Sequence, residues 1–164
     1  MRSLLFAHPA KNPSRTRVWP VFLPHAGCPF RCVYCAQEIQ TGTVLESQGG
    51  DLQALARTLE RDLGERLARG GTPLELAFFG GTFTALPVAI QEMFLGVARG
   101  YRDAGLITRV RCSTRPDCLE PEHLAWLREQ GLDLIELGIQ SFCDEPLAAS
   151  RRGYDHAQAT RACT

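Results

Sequence analysis

The chain has 164 residues, 45% of them hydrophobic and 22% charged, the balance of one globular domain with a single core of ordinary size. Lys and Arg number 18 and Asp and Glu number 18, so the formal net charge is zero, which argues against a polycationic nucleic-acid binder but leaves room for a local basic pocket. No apolar run approaches the roughly 18 to 20 residues of a membrane span, and Leu4 to Ala7 falls short of the ~7–15-residue core of a signal peptide, so a cytoplasmic location without a membrane partner is expected.

Residues 1–17, with Pro9 and Pro13 among polar neighbours, read as a loose N-terminal arm ahead of a core domain over 18–164. A first strand is expected from Val18 to Leu23. Pro20 inside it removes a ladder donor and places it at a sheet edge. A cysteine-bearing loop follows, from Pro24 to about Gln48. Leucines 52, 55, 59, 63 and 67 recur at three or four and predict a helix from Asp51, as N-cap, to Arg69. Leu74 to Phe79 reads as a buried strand ending at Gly80-Gly81. A helix from Pro87 to Asp103, a strand from Leu106 to Cys112, a helix from Pro121 to Gln130 and a strand from Leu132 to Ile139 complete the series. A last helix begins near Tyr154 or Asp155 and runs toward Thr164 without a stop signal. Alternation of this kind predicts an α/β fold: a parallel sheet of about four strand–helix units joined by right-handed crossovers. An eightfold barrel takes about 250 residues, so the chain reads as the N-terminal portion of an incomplete, partial barrel, with a four-strand open sheet as the alternative. On the first reading the fourth strand leaves an apolar edge from Leu134 to Ile139. In either architecture ligands bind at the carboxyl ends of the strands, which directs attention to the strand-to-helix loops.

Seven cysteines are an odd number, and Cys28, Cys32 and Cys35 fall within eight residues. A cluster plus four strays fits metal binding in a reducing compartment better than a disulfide scaffold. Three thiolates from one loop can reach one iron–sulfur cluster; four would saturate a four-iron cube, and three leave one iron open, the mark of a catalytic metal. Structural zinc with His25 as fourth ligand is an alternative, as is coincidence in a cysteine-rich chain. The strays Cys112, Cys118, Cys143 and Cys163 read as buried small hydrophobes or inert thiols. Trp126 and Leu127 read as core, His123 as surface.

The run Cys28-x3-Cys32-x-Tyr34-Cys35 resembles the signature of the radical S-adenosylmethionine (radical SAM) enzymes. The resemblance implies a [4Fe–4S] cluster held by Cys28, Cys32 and Cys35, with S-adenosylmethionine chelating the open iron and the Tyr34 region beside the adenine. It implies reductive cleavage of the sulfonium to a 5′-deoxyadenosyl radical and hydrogen abstraction from substrate, with the electron from a flavodoxin- or ferredoxin-type donor.

Three later segments extend the resemblance across residues 18 to 160. Gly80-Gly81-Thr82 ends the second strand, where glycines let backbone approach a ligand; alone it is an ordinary turn. It resembles the Gly-Gly-Thr variant of the branch that includes oxygen-independent coproporphyrinogen oxidases and the Elongator catalytic subunit. Ser113-Thr-Arg115-Pro-Asp117 resembles a loop of the same branch, with Ser113 and Arg115 toward the cofactor. Gln140-Ser141 at the end of the fourth strand, followed by Arg152, resembles the branch's cofactor-binding glutamine and arginine. Arg152 would clamp a carboxylate bidentately; read by itself it is a solvated surface arginine. Glu136 reads as a paired carboxylate of the barrel lining. The Elongator-like match makes a tRNA uridine the implied substrate.

Overall fold

A computed structural model describes residues 16–37, 39 and 50–164; the expected arm before Thr16 and the loop over 40–48 lie outside the described residues. Strand β1 (Arg17–Phe22), helix α1 (Gly50–Ala68), β2 (Leu74–Phe79), α2 (Val88–Asp103), β3 (Ile107–Thr114), α3 (Pro121–Glu129), β4 (Leu134–Leu137), α4 (Asp144–Ala149) and α5 (His156–Arg161) follow one another. The four strands form one sheet in the order β1-β2-β3-β4, every pair parallel. β1 is an edge strand, and Pro20 sits in it where a missing ladder donor is tolerated.

Alternation along each strand separates two faces. Val21, Leu74, Leu76, Phe78, Val110 and Cys112 face one way and join Leu52, Ala56, Leu59 and Leu63 of α1, Ile90, Phe94 and Leu95 of α2 and Leu127 of α3 in a single core. Phe78 stacks on Phe83 with ring centres 4.7 Å apart and meets Phe94 edge-on at 5.5 Å. All three crossover helices therefore cover the same face, as in a stretch of barrel wall; an open doubly wound sheet would carry helices on both. On the other face Val18 and Phe22 are exposed, and Arg111 lies between Glu75 and Glu136 and over the Phe79 ring. The Arg111 Nε–H is not aligned on the Glu75 oxygen, so that contact is an ion pair rather than a hydrogen bond.

Several boundaries differ from expectation for identifiable reasons. Helix α1 begins at Gly50, so Asp51 sits in its first turn, where its charge still opposes the helix dipole, and not at the cap. Pro87 is the N-cap of α2 and not its first residue. Strand β4 is four residues long, because the chain leaves the sheet at Gly138, whose N–H still bonds the Thr114 carbonyl at 2.8 Å. Helix α4 was not foreseen; six residues with Pro146 in the first turn carry too little periodicity to detect. α5 has a capping box between Asp155 and Gln158 and closes at Arg161, so the helical pattern does not run on to Thr164. No helix among the described residues is long and apolar enough to cross a membrane.

Candidate functional site

The carboxyl ends of all four strands open onto one cleft of about 340 Å³, a volume within the range of small-molecule sites. Cys28, Cys32, Tyr34 and Cys35 line it from the β1 loop, Gly80, Gly81 and Thr82 from the β2 loop, Ser113 and Arg115 from the end of β3, and Gln140 and Arg152 from beyond β4. Every residue singled out from the sequence as a ligand of metal or cofactor reaches this one space. Glu136, His25, Phe30 and Gln37 line it too.

The β1 loop is built from two tight turns, each closing on a cysteine: the Cys28 N–H donates to the His25 carbonyl at 3.0 Å and the Cys35 N–H to the Cys32 carbonyl at 3.1 Å. His25 and Gly27 both adopt left-handed backbone, with φ of 54° and 73°. Gln140 and Arg151 do so as well, so the three non-glycine residues with this conformation among the described residues all stand in loops around the cleft.

Gly81 also serves the packing of the protein itself, and Gly27 joins it. A Cβ on Gly81 would lie 2.1 Å from the Ala26 carbonyl oxygen and 2.6 Å from that of Leu23, and one on Gly27 would lie 2.3 Å from the Thr82 oxygen. The glycines thus let two loops of the protein pack backbone to backbone. The Thr82 N–H donates to the Ala26 oxygen at 2.8 Å, and the Leu23 N–H to the Phe79 oxygen at 2.7 Å.

Each thiol of the loop has its own polar partner. Cys28 Sγ lies 3.2 Å from the Thr82 hydroxyl, Cys32 Sγ accepts from Arg152 Nη1 at 3.1 Å, and Cys35 Sγ lies 3.8 Å from His25 Nδ1. Burial pushes the Cys28 thiol up, against the Thr82 hydrogen bond and the charge of Arg115. Partial burial likewise raises the Tyr34 hydroxyl, against the charge of Arg152. Among the described residues no three His, Cys, Asp or Glu side chains are grouped closely enough to hold one metal ion. The donor set would suit a four-iron cluster: three thiols from one loop, in a cleft whose remaining lining offers no fourth cysteine.

Arg115 and Arg152 are not surface arginines; they are 4% and 6% exposed. Arg115 holds Asp117 through two bonds of 2.9 Å, donates to the Arg152 carbonyl, and lies over the rings of Phe30 and Tyr154. Arg152 Nε donates to the Tyr154 hydroxyl at 3.0 Å, Nη1 to the Tyr34 hydroxyl at 3.0 Å as well as to Cys32, and Nη2 to the Gly138 carbonyl. Cation, aromatic face and carbonyl together compensate the desolvation of both guanidiniums. Ser113 donates to Glu136 at 3.4 Å, and Glu136 pairs with Arg111, the lining carboxylate that the sequence suggested.

Sequence reasoning missed the residues that hold these loops. The Thr84 hydroxyl meets the Thr114 hydroxyl and the Cys118 carbonyl, both at 2.6 Å. Buried Gln91 donates to the Leu86 carbonyl at 2.6 Å, and its Oε1 meets Nε2 of His123 at 2.9 Å. His123 stacks on Trp126 and so is tied to the interior rather than simply exposed. The signal available was a polar Gln91 on the apolar face of α2. Of the stray cysteines Cys112 is buried and Cys118 partly so, whereas Cys143 and Cys163 are exposed and so are not buried hydrophobes.

Comparison with known proteins agrees with this geometry. The chain is 26% identical over 146 residues to an uncharacterised protein of Methanocaldococcus jannaschii, covering 87% of this chain and 40% of that one. It is 27% identical to the tRNA uridine(34) acetyltransferase of Methanocaldococcus infernus (92% of this chain, 34% of that protein) and 30% identical to the oxygen-independent coproporphyrinogen-III oxidase-like protein HemZ of Bacillus subtilis (76% and 26%). The chain therefore spans well under half the length of these relatives. In fold it is similar to the archaeal Elp3 of Methanocaldococcus infernus, with a TM-score of 0.54 at 17% identity over 90% of this chain and 34% of that one. The model of the radical SAM superfamily matches residues 22–164, from the end of β1 through the whole cleft, and the chain belongs to that superfamily.

Proposed function

We propose that this chain is the part of a radical SAM enzyme that binds a [4Fe–4S] cluster and S-adenosylmethionine. The observation that carries the reading is the convergence of Cys28, Cys32 and Cys35 with the three later loops on one cleft at the carboxyl ends of the strands. Cys28, Cys32 and Cys35 would hold the cluster and leave one iron for the cofactor. Together the two groups supply one-electron cleavage of a sulfonium and hydrogen-atom abstraction.

The chain's own residues bind and orient. The Gly80–Thr82 loop, Ser113, Gln140 and Arg115 present polar groups along the cleft, and Tyr34 and Phe30 present aromatic rings to it beside the thiols. Glu136 accepts from Ser113 and orients its hydroxyl. A tRNA uridine is the proposed substrate class, on the likeness to archaeal tRNA uridine(34) acetyltransferases. A flavodoxin- or ferredoxin-type protein is the proposed electron donor, and a cytoplasmic location is proposed with it.

The test is anaerobic reconstitution with iron and sulfide, reduction, and addition of S-adenosylmethionine. The expected result is a reduced-cluster paramagnetic signal that changes on addition, with release of 5′-deoxyadenosine. A cluster indifferent to S-adenosylmethionine, or zinc in its place, overturns the reading in favour of a non-catalytic metal-binding module.

A further inference from the structure

The three candidate ligand sulfurs have unequal partners. Cys28 meets a neutral hydroxyl and Cys35 an imidazole at the long distance of 3.8 Å, whereas Cys32 accepts from a guanidinium at 3.1 Å. That guanidinium is fixed from several sides. Tyr154 holds its Nε and lies under its plane at 5.1 Å, the Gly138 carbonyl holds Nη2, and the Arg152 N–H is anchored on the Leu147 carbonyl at 2.9 Å. A bidentate grip on a carboxylate, the role the family resemblance implies for Arg152, takes two parallel N–H groups, and Nη1 already directs its pair to Cys32 and Tyr34.

We propose that Arg152 is a positioning residue that raises the reduction potential of the cluster through its hydrogen bond to the Cys32 sulfur; the proposal rests on the cluster-binding reading above. The physical basis is that an electron added to an iron–sulfur cluster increases negative charge on the ligand sulfurs. A donor to one of them stabilises the reduced form more than the oxidised one. A cationic donor with 6% exposure does so more strongly than the Thr82 hydroxyl on Cys28. The electron itself comes from the external reductant. Because Tyr154 and Gly138 fix Arg152, the segment beyond β4 acts on a cluster held by the loop after β1, at the opposite end of the sheet order.

The test is a potentiometric titration of the reconstituted protein, followed by paramagnetic resonance in the absence of S-adenosylmethionine. The variants are Arg152→Gln, Arg152→Lys and Thr82→Val. At a fixed potential the ratio of reduced to oxidised cluster is expected to fall about tenfold in Arg152→Gln, the scale of one charge-assisted hydrogen bond partly replaced by water. It should fall less in Arg152→Lys, whose point charge reaches sulfur without the fixed fork, and less in Thr82→Val. The potential is read from whatever cluster is present, so partial loss of iron does not obscure it. If Arg152→Gln takes up no cluster, Arg152→Lys decides by its own shift. An unmoved potential in the variant that holds a cluster, or a shift no larger than that of Thr82→Val, overturns the proposal. A wild-type protein that takes up no cluster overturns the underlying reading instead.

Discussion

Replacing Gly81 by alanine should disturb the site without touching a cysteine. The added Cβ would stand 2.1 Å from the Ala26 oxygen and 2.6 Å from the Leu23 oxygen, against an ordinary contact of 3.4 Å or more. Both obstacles are backbone, so no side chain can swing away, and the loops must part by more than about 1 Å. That separation breaks the Thr82 N–H bond to Ala26 and pulls Thr82 from Cys28. Overpacking costs about 1–3 kcal/mol and the lost backbone bond about 1 kcal/mol, so the total is roughly 2–4 kcal/mol. At about 2–4 °C per kcal/mol the melting temperature should fall by roughly 10 °C, and iron taken up per chain on reconstitution should fall with it. Gly100→Ala is the comparison: nothing lies within 4 Å of its Cβ, in the interior of α2, and it should stabilise by about 0.5–1 kcal/mol. A Gly81→Ala protein that melts within 1 °C or so of wild type and carries full iron would refute the idea that the glycines dock the two loops.

Arg111→Ala should destabilise by about 1–3 kcal/mol, because Glu75 and Glu136 then face each other across β3 half-buried; adding Glu75→Gln should recover part of it, measured as a double-mutant cycle by urea unfolding. Phe94→Ala, at the centre of the core against Phe78, should cost about 3–5 kcal/mol in the same assay. Alkylation of the metal-free protein at pH 8, followed by mass spectrometry, should label exposed Cys143 and Cys163 first and Cys112 last. Burial pushes the Cys112 thiol up to about 12, so almost none of it is thiolate at that pH, and similar labelling rates would contradict the packing of β3. Bonds from the His156 backbone and ring hold the Asp144 carboxyl below its ordinary value. The clip between α4 and α5 is therefore intact above the ordinary carboxylate range and is lost as pH falls through the lowered value; amide signals of α5 followed by NMR from pH 6 down should broaden only at that acid end.

The order of strands and helices was legible in the sequence because each signal is local. Leucines at three and four in α1, an apolar run ended by glycines in β2 and a proline at the head of α3 need only their chain neighbours to act. The spacing of Cys28, Cys32 and Cys35 is equally local, and a parallel sheet brings the loops after its strands to one side, so the candidate ligands could be gathered before any coordinates. What the chain neighbours do not contain is the partner of a buried polar group. Arg152 looks like a surface arginine until Cys32, Tyr34 and the Gly138 carbonyl arrive from other segments to replace water. That Gly81 also docks two loops appears only when the Ala26 backbone closes on it. Strand β4 ends where it loses its pairing with β3, not where its apolar run ends. Periodicity thus determined the four strands and the crossover helices, and cysteine spacing singled out the candidate thiols. Tertiary structure alone decided which charges are buried, which sulfur receives a cation, and which face of the sheet stays open, since each depends on groups far apart in the chain meeting in a desolvated space.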